Sequence, residues 1–314
     1  MKLCLKLRDM KNWLLTLLIG SSFAVSAQKK SFCDTANIKA HLKFLVESDT
    51  PRNFKYPAQL NKVADYISAY FTGFADTVYF QSYEVNGITY KNVICSFGTQ
   101  HKKRIIVGAH YDVCGEMPGA DDNASGVAGL LELSRILKDK KLNHRIDLVA
   151  FTLEEPPFFD TKHMGSFVHA ASMDNQGQTI YGMISLEMIG FFKDTKNSQH
   201  FPYPFLKIIY GNKGNFITLV TKTHSGKFSK KFMRKFKRSK QIRTKKFIAP
   251  STVVGVDLSD HLNYWLFGYS ALMVTDTSFY RNANYHEPTD TLETLDLKRL
   301  SKVVDAVFLA LNGL

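Results

Sequence analysis

The sequence predicts an α/β fold: one domain on a single mixed, mostly parallel central sheet, with helices on both faces. Three observations predict it. Short apolar runs of strand length, Arg104–Ala109, Ile146–Thr152 and Thr179–Leu186, alternate with stretches whose apolar residues recur at helical spacing. Each of these runs ends at or beside a histidine or a glutamate. No internal repeat and no long Pro/Gly/Ser linker divides the chain, so one catalytic-size unit over residues 28–314 is the economical organisation.

Residues 1–27 read as an export signal. Lys2, Lys6, Arg8 and Lys11 form a basic start, Trp13 to Ile19 is apolar, and Val25-Ser26-Ala27 offers small residues for cleavage after Ala27. The chain is therefore expected to be exported, periplasmic or extracellular. The alternative is an uncleaved anchor, but the apolar stretch is short for a bilayer and broken by Gly20, Ser21 and Ser22.

Residues 35–47 form a helical stripe through Ile38, Leu42 and Leu45, and residues 56–72 another through Leu60, Val63, Ala64, Ile67 and Tyr70. Thr77–Glu84 and Lys91–Phe97 are strand-like. Arg104–Ala109 reads as a buried strand leading into His110. Ser125–Leu137 reads as a helix whose Val127, Leu130, Leu131, Leu133, Ile136 and Leu137 face inward. Ile146–Thr152 and Thr179–Leu186 are further buried strands, ending before Glu154-Glu155 and Glu187. Met164-Gly165-Ser166 marks a helix start. Ser259–Phe267 is expected to be a short helix capped by Ser259, Ala271–Asp276 a strand, Tyr280–Asp290 a polar loop, and Asp296–Leu311 an amphipathic closing helix.

The 314 residues are 45% hydrophobic and 22% charged, which excludes wholesale disorder. The net charge is +13; without residues 1–27 it is about +10. Much of the excess lies in 222–246, which contains no Asp or Glu. Phe228, Phe232, Met233 and Phe236 recur there at helical spacing, the pattern of a surface helix with a solvated basic face. Weak attraction to anionic surfaces is open to it; no nucleic-acid-binding motif accompanies it, and no nucleic-acid partner is expected. Beyond residue 27 the cysteines are Cys33, Cys95 and Cys114. Three cannot all pair within the chain; Cys33–Cys95 is arithmetically open, and Cys114 reads as a buried thiol near a site rather than a ligand.

Five potential metal ligands run through the chain: His110, Asp122, Glu155, Glu187 and His286. A pair of divalent cations needs mixed imidazole and carboxylate donors, a bridging group, and a spare carboxylate for proton transfer. Glu154 is that spare carboxylate. Any one of these residues has an ordinary structural reading. Three of the positions fall just beyond the carboxyl ends of apolar strands, where open α/β sheets place ligands. Asp122 falls at an expected helix N-terminus, where negative charge is favoured. Two glutamates directly after an apolar strand are costly to bury without a compensating cation.

His110-Tyr111-Asp112, the segment Pro118-Gly119-Ala120-Asp121-Asp122-Asn123-Ala124-Ser125-Gly126, Glu154-Glu155, Leu186-Glu187-Met188, Ser259-Asp260-His261 and His286 resemble the dinuclear zinc aminopeptidases, metallopeptidase family twenty-eight, over roughly residues 90–314. The resemblance implies the zinc-dependent exopeptidase fold, two zinc ions per chain, and a peptide substrate with a free N-terminus. It implies that His110 and Glu187 hold one zinc, that Glu155 and His286 hold the other, and that Asp122 bridges them. It implies that Glu154 is the general base, taking a proton from a metal-bridging water. Asp112 would orient the His110 imidazole, and Asp260 would buttress the site. Tyr285 would donate to a developing oxyanion, or else only pack.

Two departures stand out. Pro156-Pro157-Phe158-Phe159-Asp160 replaces the usual Gly-containing loop after the glutamate pair, and Glu187 stands where an Asp is common. Phe158, Phe159, Phe191 and Phe192 either line an apolar pocket or pack in the core. Two other functions remain open: a glutaminyl-peptide cyclotransferase of the same fold with one zinc, and a non-catalytic binding protein on this scaffold.

Overall fold

The fold is taken from a computed structural model that describes residues 31–314; the expected export signal over 1–27 lies outside the described residues. Helices α1 (Thr35–Val46) and α2 (Pro57–Thr72) lead into strands β1 (Thr77–Val85), β2 (Ile88–Phe97) and β3 (Arg104–His110). Helix α3 (Gly126–Leu137), β4 (Arg145–Phe151), α4 (Gly165–Asn175) and β5 (Ile180–Glu187) follow. Then come α5 (Leu206–Tyr210), β6 (Ile217–Lys222), α6 (Lys227–Ser239) and β7 (Thr244–Ala249). Helix α7 (His261–Leu266), β8 (Ala271–Thr275) and α8 (Leu297–Asn312) complete the chain.

The eight strands form one mixed sheet in the order β1-β2-β4-β3-β5-β8-β6-β7. Its centre, β4-β3-β5-β8, is parallel, whereas β1, β2 and β6 join by antiparallel pairings. Parallel strands need cover on both faces, and their alternate side chains supply it. Ile105, Val107 and Ala109 of β3 face a core shared with α1, α2, α3, α6 and α8. Ile106, Val149 of β4 and Met183 of β5 face a second core with Ala170 of α4 and Tyr264 and Trp265 of α7. Gly108 leaves room for Phe151, since a Cβ there would stand 2.1 Å from that ring.

The basic segment divides. Residues 227–239 are the expected amphipathic helix, burying Phe228, Phe232, Met233 and Phe236, while 244–249 form the edge strand β7. Neither β6 nor β7 was expected from sequence; their mixed polar and apolar residues give no continuous apolar run. Cys33, Cys95 and Cys114 are all free thiols, so the open Cys33–Cys95 pairing is not made: Cys95 lies inside β2, and Cys33 precedes α1 beside Asp305 of α8. Ser259 does not cap α7; its hydroxyl bonds Glu187 instead.

Candidate metal centre

The parallel strands all point their carboxyl ends to one edge, and the expected site residues gather there. His110 and Glu187 are the last residues of β3 and β5, and Glu154 and Glu155 follow the end of β4 at Phe151. Asp122 comes from the loop before α3, and His286 from the long loop before α8. His110, Asp122, Glu154, Glu155 and Glu187 are all buried.

Asp122 is the centre of the arrangement. Its Oδ1 lies 3.3 Å from His110 Nε2, and its Oδ2 lies 3.1 Å from His286 Nε2. Each imidazole meets a second carboxylate: His110 lies 3.4 Å from Glu187 Oε2, and His286 3.2 Å from Glu155 Oε2. One aspartate thus turns an oxygen to each of two imidazole–glutamate pairs. Glu154 Oε2 stands 3.8 Å from His110 Nε2, farther than either partner of that ring.

The surrounding backbone fixes this geometry. His110 Nδ1 donates to the Asp112 carbonyl at 3.2 Å, which leaves Nε2 free as a donor atom toward the cluster. The Asp112 carboxylate accepts the amides of Glu154 and Glu155 at 3.2 and 3.1 Å and lies 3.6 Å from His110 Nδ1. It therefore orients three site residues rather than one. Asp122 does not sit at the first turn of α3. It lies in an irregular turn, residues 120–125, with extended-side φ/ψ of −101° and 93°. Asn123 ties that turn to β5, donating to Leu186 O at 2.8 Å and accepting from Met188 N at 3.1 Å. Gly119 has φ +60°, and a Cβ there would meet Asp122 O at 2.3 Å; a Cβ on Gly126 would meet Asn123 Oδ1 at 2.4 Å. Both glycines of the motif are demanded by this close packing.

Three residues that the sequence reading missed hold the Asp122 turn. Asp290 accepts the Asp121 amide at 3.0 Å and the Asp122 amide at 3.1 Å. Asn282 donates to Asp121 Oδ2 at 2.9 Å. Arg52, buried, donates to Leu45 O, Pro118 O and Gly119 O. Nothing local marks them; Asp290 and Asn282 lie in a polar loop whose composition suggests only solvent. Ser259 donates to Glu187 Oε2 at 2.8 Å and so orients a carboxylate one methylene longer than the usual aspartate. Asp260 is fully buried beside Ser166, and its charge adds to the upward push on Glu154. Its effect on the site is electrostatic.

Charge follows from burial. Asp122 stays well below the usual carboxylate range; burial opposes its ionisation, but the hydrogen bonds from His110 and His286 prevail. Burial pushes Glu154 well above its ordinary value; His110 opposes this, and Glu187, Glu155 and Asp260 add to it. Glu155 rises to about 7 through burial and the Asp122 charge. His286 rises to about 10, its burial outweighed by the bonds to Asp122 and Glu155.

The residues present fit divalent cations. Carboxylates outnumber imidazoles, the donors are of the mixed oxygen and nitrogen kind, and Glu155 Oε1 is buried with no hydrogen-bond partner among the described residues. His110, Asp122 and Glu187 form one cluster of potential ligands; Cys114, Glu155 and His286 form another. Cys114 is half-buried and close enough to count among the donors, nearer the site than its sequence reading implied.

A cleft opens from the cluster. Besides Asp122, Glu154, Glu155, Glu187 and His286, it is lined by Phe159, Phe201, Phe216, Phe247, Val254 and Met273. Of the four phenylalanines considered from sequence, only Phe159 faces it. Phe158 packs edge-on against Phe54 at 5.3 Å, and Phe191 and Phe192 are buried elsewhere. The wall comes from β6, β7 and the loops about 200 and 254. Tyr285 lines the cleft and stacks on His286, ring centroids 3.8 Å apart.

A mixed α/β sheet that gathers imidazoles and carboxylates at its carboxyl edge defines a candidate metal-dependent α/β protein. The chain belongs to peptidase family M28, whose model matches residues 92–311. YfbL of Escherichia coli K12 is 38% identical over 274 residues, covering 85% of this chain and 84% of that protein. Leucine aminopeptidase 1 of Ajellomyces capsulatus is 25% identical over 225 residues, covering 67% of this chain and 52% of its own length, so this chain spans about half of that relative. Among solved structures, Legionella pneumophila LapB superposes with TM-score 0.69 at 20% identity, covering 88% of this chain and 71% of that one. Bacteroides thetaiotaomicron glutaminyl cyclase, bound to N-acetylhistamine, superposes with TM-score 0.67 at 20% identity, covering 91% and 100%. These structures share the fold.

Proposed function

We propose that this chain is an exported two-zinc aminopeptidase that removes large apolar residues from the free N-termini of peptides. The observation that carries the reading is the split of the Asp122 carboxylate, one oxygen toward His110 and the other toward His286. A bridged pair of cations would use both oxygens of such a carboxylate, one for each imidazole–glutamate pair. In this reading His110 and Glu187 hold one zinc, Glu155 and His286 the other, and Asp122 both.

Zinc bound there would polarise the scissile carbonyl and lower the pKa of water. The chain's own residues do the rest. Glu154 makes no pairing as close as the ligand carboxylates do, and its burial favours holding a proton. It therefore accepts a proton from the attacking water and delivers it to the leaving amine. Asp112 keeps Glu154 and His110 in register through its carboxylate. Tyr285, held over His286, is placed to donate to the oxyanion. Phe159, Phe201, Phe216 and Phe247 offer an apolar recess to the side chain beside the scissile bond.

A second reading is cyclisation of N-terminal glutamine with one zinc. It is favoured by the superposition that covers the whole of the Bacteroides glutaminyl cyclase. One experiment separates them: zinc content of the purified protein, together with turnover of leucyl, phenylalanyl, lysyl and glutaminyl amides with and without chelator. Two zinc ions and preferred release of leucine or phenylalanine are expected. One zinc and ring closure of the glutaminyl substrate would replace the aminopeptidase reading.

A further inference from the structure

We propose that Cys114 is itself a metal ligand, its thiolate joining Glu155 and His286 at one of the two cation positions. This rests on the metal-site reading above and goes beyond it in ligand set. The Cys114 sulfur, a carboxylate oxygen of Glu155 and a ring nitrogen of His286 lie within 4.8 Å of one another. Glu155 Oε1 is buried, with no hydrogen bond among the described residues. A buried carboxylate oxygen without a partner, on a residue that also meets a thiol and an imidazole, calls for a ligand such as a cation.

The distances suit capture. Ligands of about 2.0–2.3 Å bond length around one tetrahedral zinc stand roughly 3.2–3.8 Å from each other. The donors, within 4.8 Å of one another, therefore need to approach by at most about 1–1.6 Å, within the reach of side-chain rotation. Their backbone is held in place for this. Val113 N donates to Arg52 O at 3.1 Å, Asn53 donates to Gly115 O, and Met117 N closes a turn onto Cys114 O at 3.3 Å. The loop that carries the sulfur is braced from both sides of the residue, and no disulfide takes the thiol elsewhere.

The thiolate makes the two positions unequal. Binding breaks the S–H bond, forms a sulfur–metal bond and releases the proton to solvent. Cys114 would add a sulfur to the Glu155 and His286 donors at that position. The His110 position would be held by His110, Glu187 and Asp122, with oxygen and nitrogen donors only. Glu154, the proposed base, stands on the His110 side, 3.8 Å from that ring. A sulfur donor also shifts the His286 position toward softer cations such as zinc or cadmium over manganese.

The test uses the purified chain stripped of metal and reloaded. With two equivalents of cobalt(II), the wild type is expected to show near-ultraviolet sulfur-to-cobalt charge transfer, absent in Cys114→Ser. X-ray absorption of the zinc form is expected to show a sulfur neighbour at about 2.3 Å. Zinc affinity at one of the two positions is expected to fall at least about tenfold in Cys114→Ser, the other being unchanged. Two bound cations with neither charge transfer nor a sulfur neighbour in the wild type would overturn the thiolate ligand and leave the metal site standing. No tight binding of any cation would overturn both. The wild-type spectra need no variant to fold.

Discussion

Asp290 is the sharpest point at which to test how the site is held. Its carboxylate is buried and accepts the main-chain amides of Asp121 and Asp122. Asp290→Ala leaves both amides without an acceptor in a site too tight for easy relaxation. Each orphaned amide costs about 1–3 kcal/mol, so the variant is expected to lose roughly 2–6 kcal/mol of stability. Asp290→Asn keeps one acceptor oxygen and is expected to lose less than half of that. Because the two amides set the turn that aims Asp122, the alanine variant should also bind zinc about 10–100-fold more weakly, as loss of a ligand-orienting group does elsewhere. Urea unfolding of the metal-free protein measures the first effect, and competition with a chromogenic chelator measures the second. An Asp290→Ala protein with unchanged urea midpoint and unchanged zinc affinity would refute the claim that this residue positions the turn.

Glu154→Gln is expected to cut kcat by about 10²–10⁴-fold while zinc content stays the same; full activity would remove Glu154 as the base. Zinc at a hundred times its Kd stabilises by about 2.7 kcal/mol per position, which for roughly 280 residues raises Tm by about 4–5 °C. The wild type should show about twice that increment in differential scanning fluorimetry and His286→Ala about one; equal shifts would count against two positions. His41 and His169 are buried and held down to about 4, in each case by burial, with Glu132 partly opposing it at His41 and Asp147 at His169. The unfolded chain therefore takes up these protons first as pH falls. The contribution of these two histidines to stability is complete above about pH 6.5 and is lost between there and pH 4, by about 1.4 kcal/mol per pKa unit for each residue, against the opposite trend of buried carboxylates such as Glu155. The difference in urea midpoint between the wild type and His169→Gln across that window isolates the contribution and is expected to change with pH; a pH-independent difference would contradict a neutral buried His169.

Much of this site was legible because chemistry was written next to hydrophobicity. Arg104–Ala109 and Thr179–Leu186 are apolar enough to declare buried strands, and His110 and Glu187 sit where those strands stop. Period and position along the chain were sufficient for that. The cleft wall was not legible. Phe158 and Phe159 are neighbours in sequence, yet one packs on Phe54 and the other faces the cleft, because the turn from Glu155 to Phe158 sets their directions apart. Ser259 had the composition of a helix cap, but its hydroxyl donates to a carboxylate from β5, and α7 has no side-chain cap.

Sequence alone determined the α/β alternation, the chemical kinds of donor and the strand ends that carry three of them, since these depend on residue type and spacing within one segment. Only the tertiary structure decided that Asp122 faces two imidazoles, that Asp290 and Arg52 hold its turn, and that Cys114 comes within reach of Glu155 and His286. Those facts are distances between segments far apart along the chain. They are set by how the sheet edge and its loops close around one another, and local pattern carries no record of that closure.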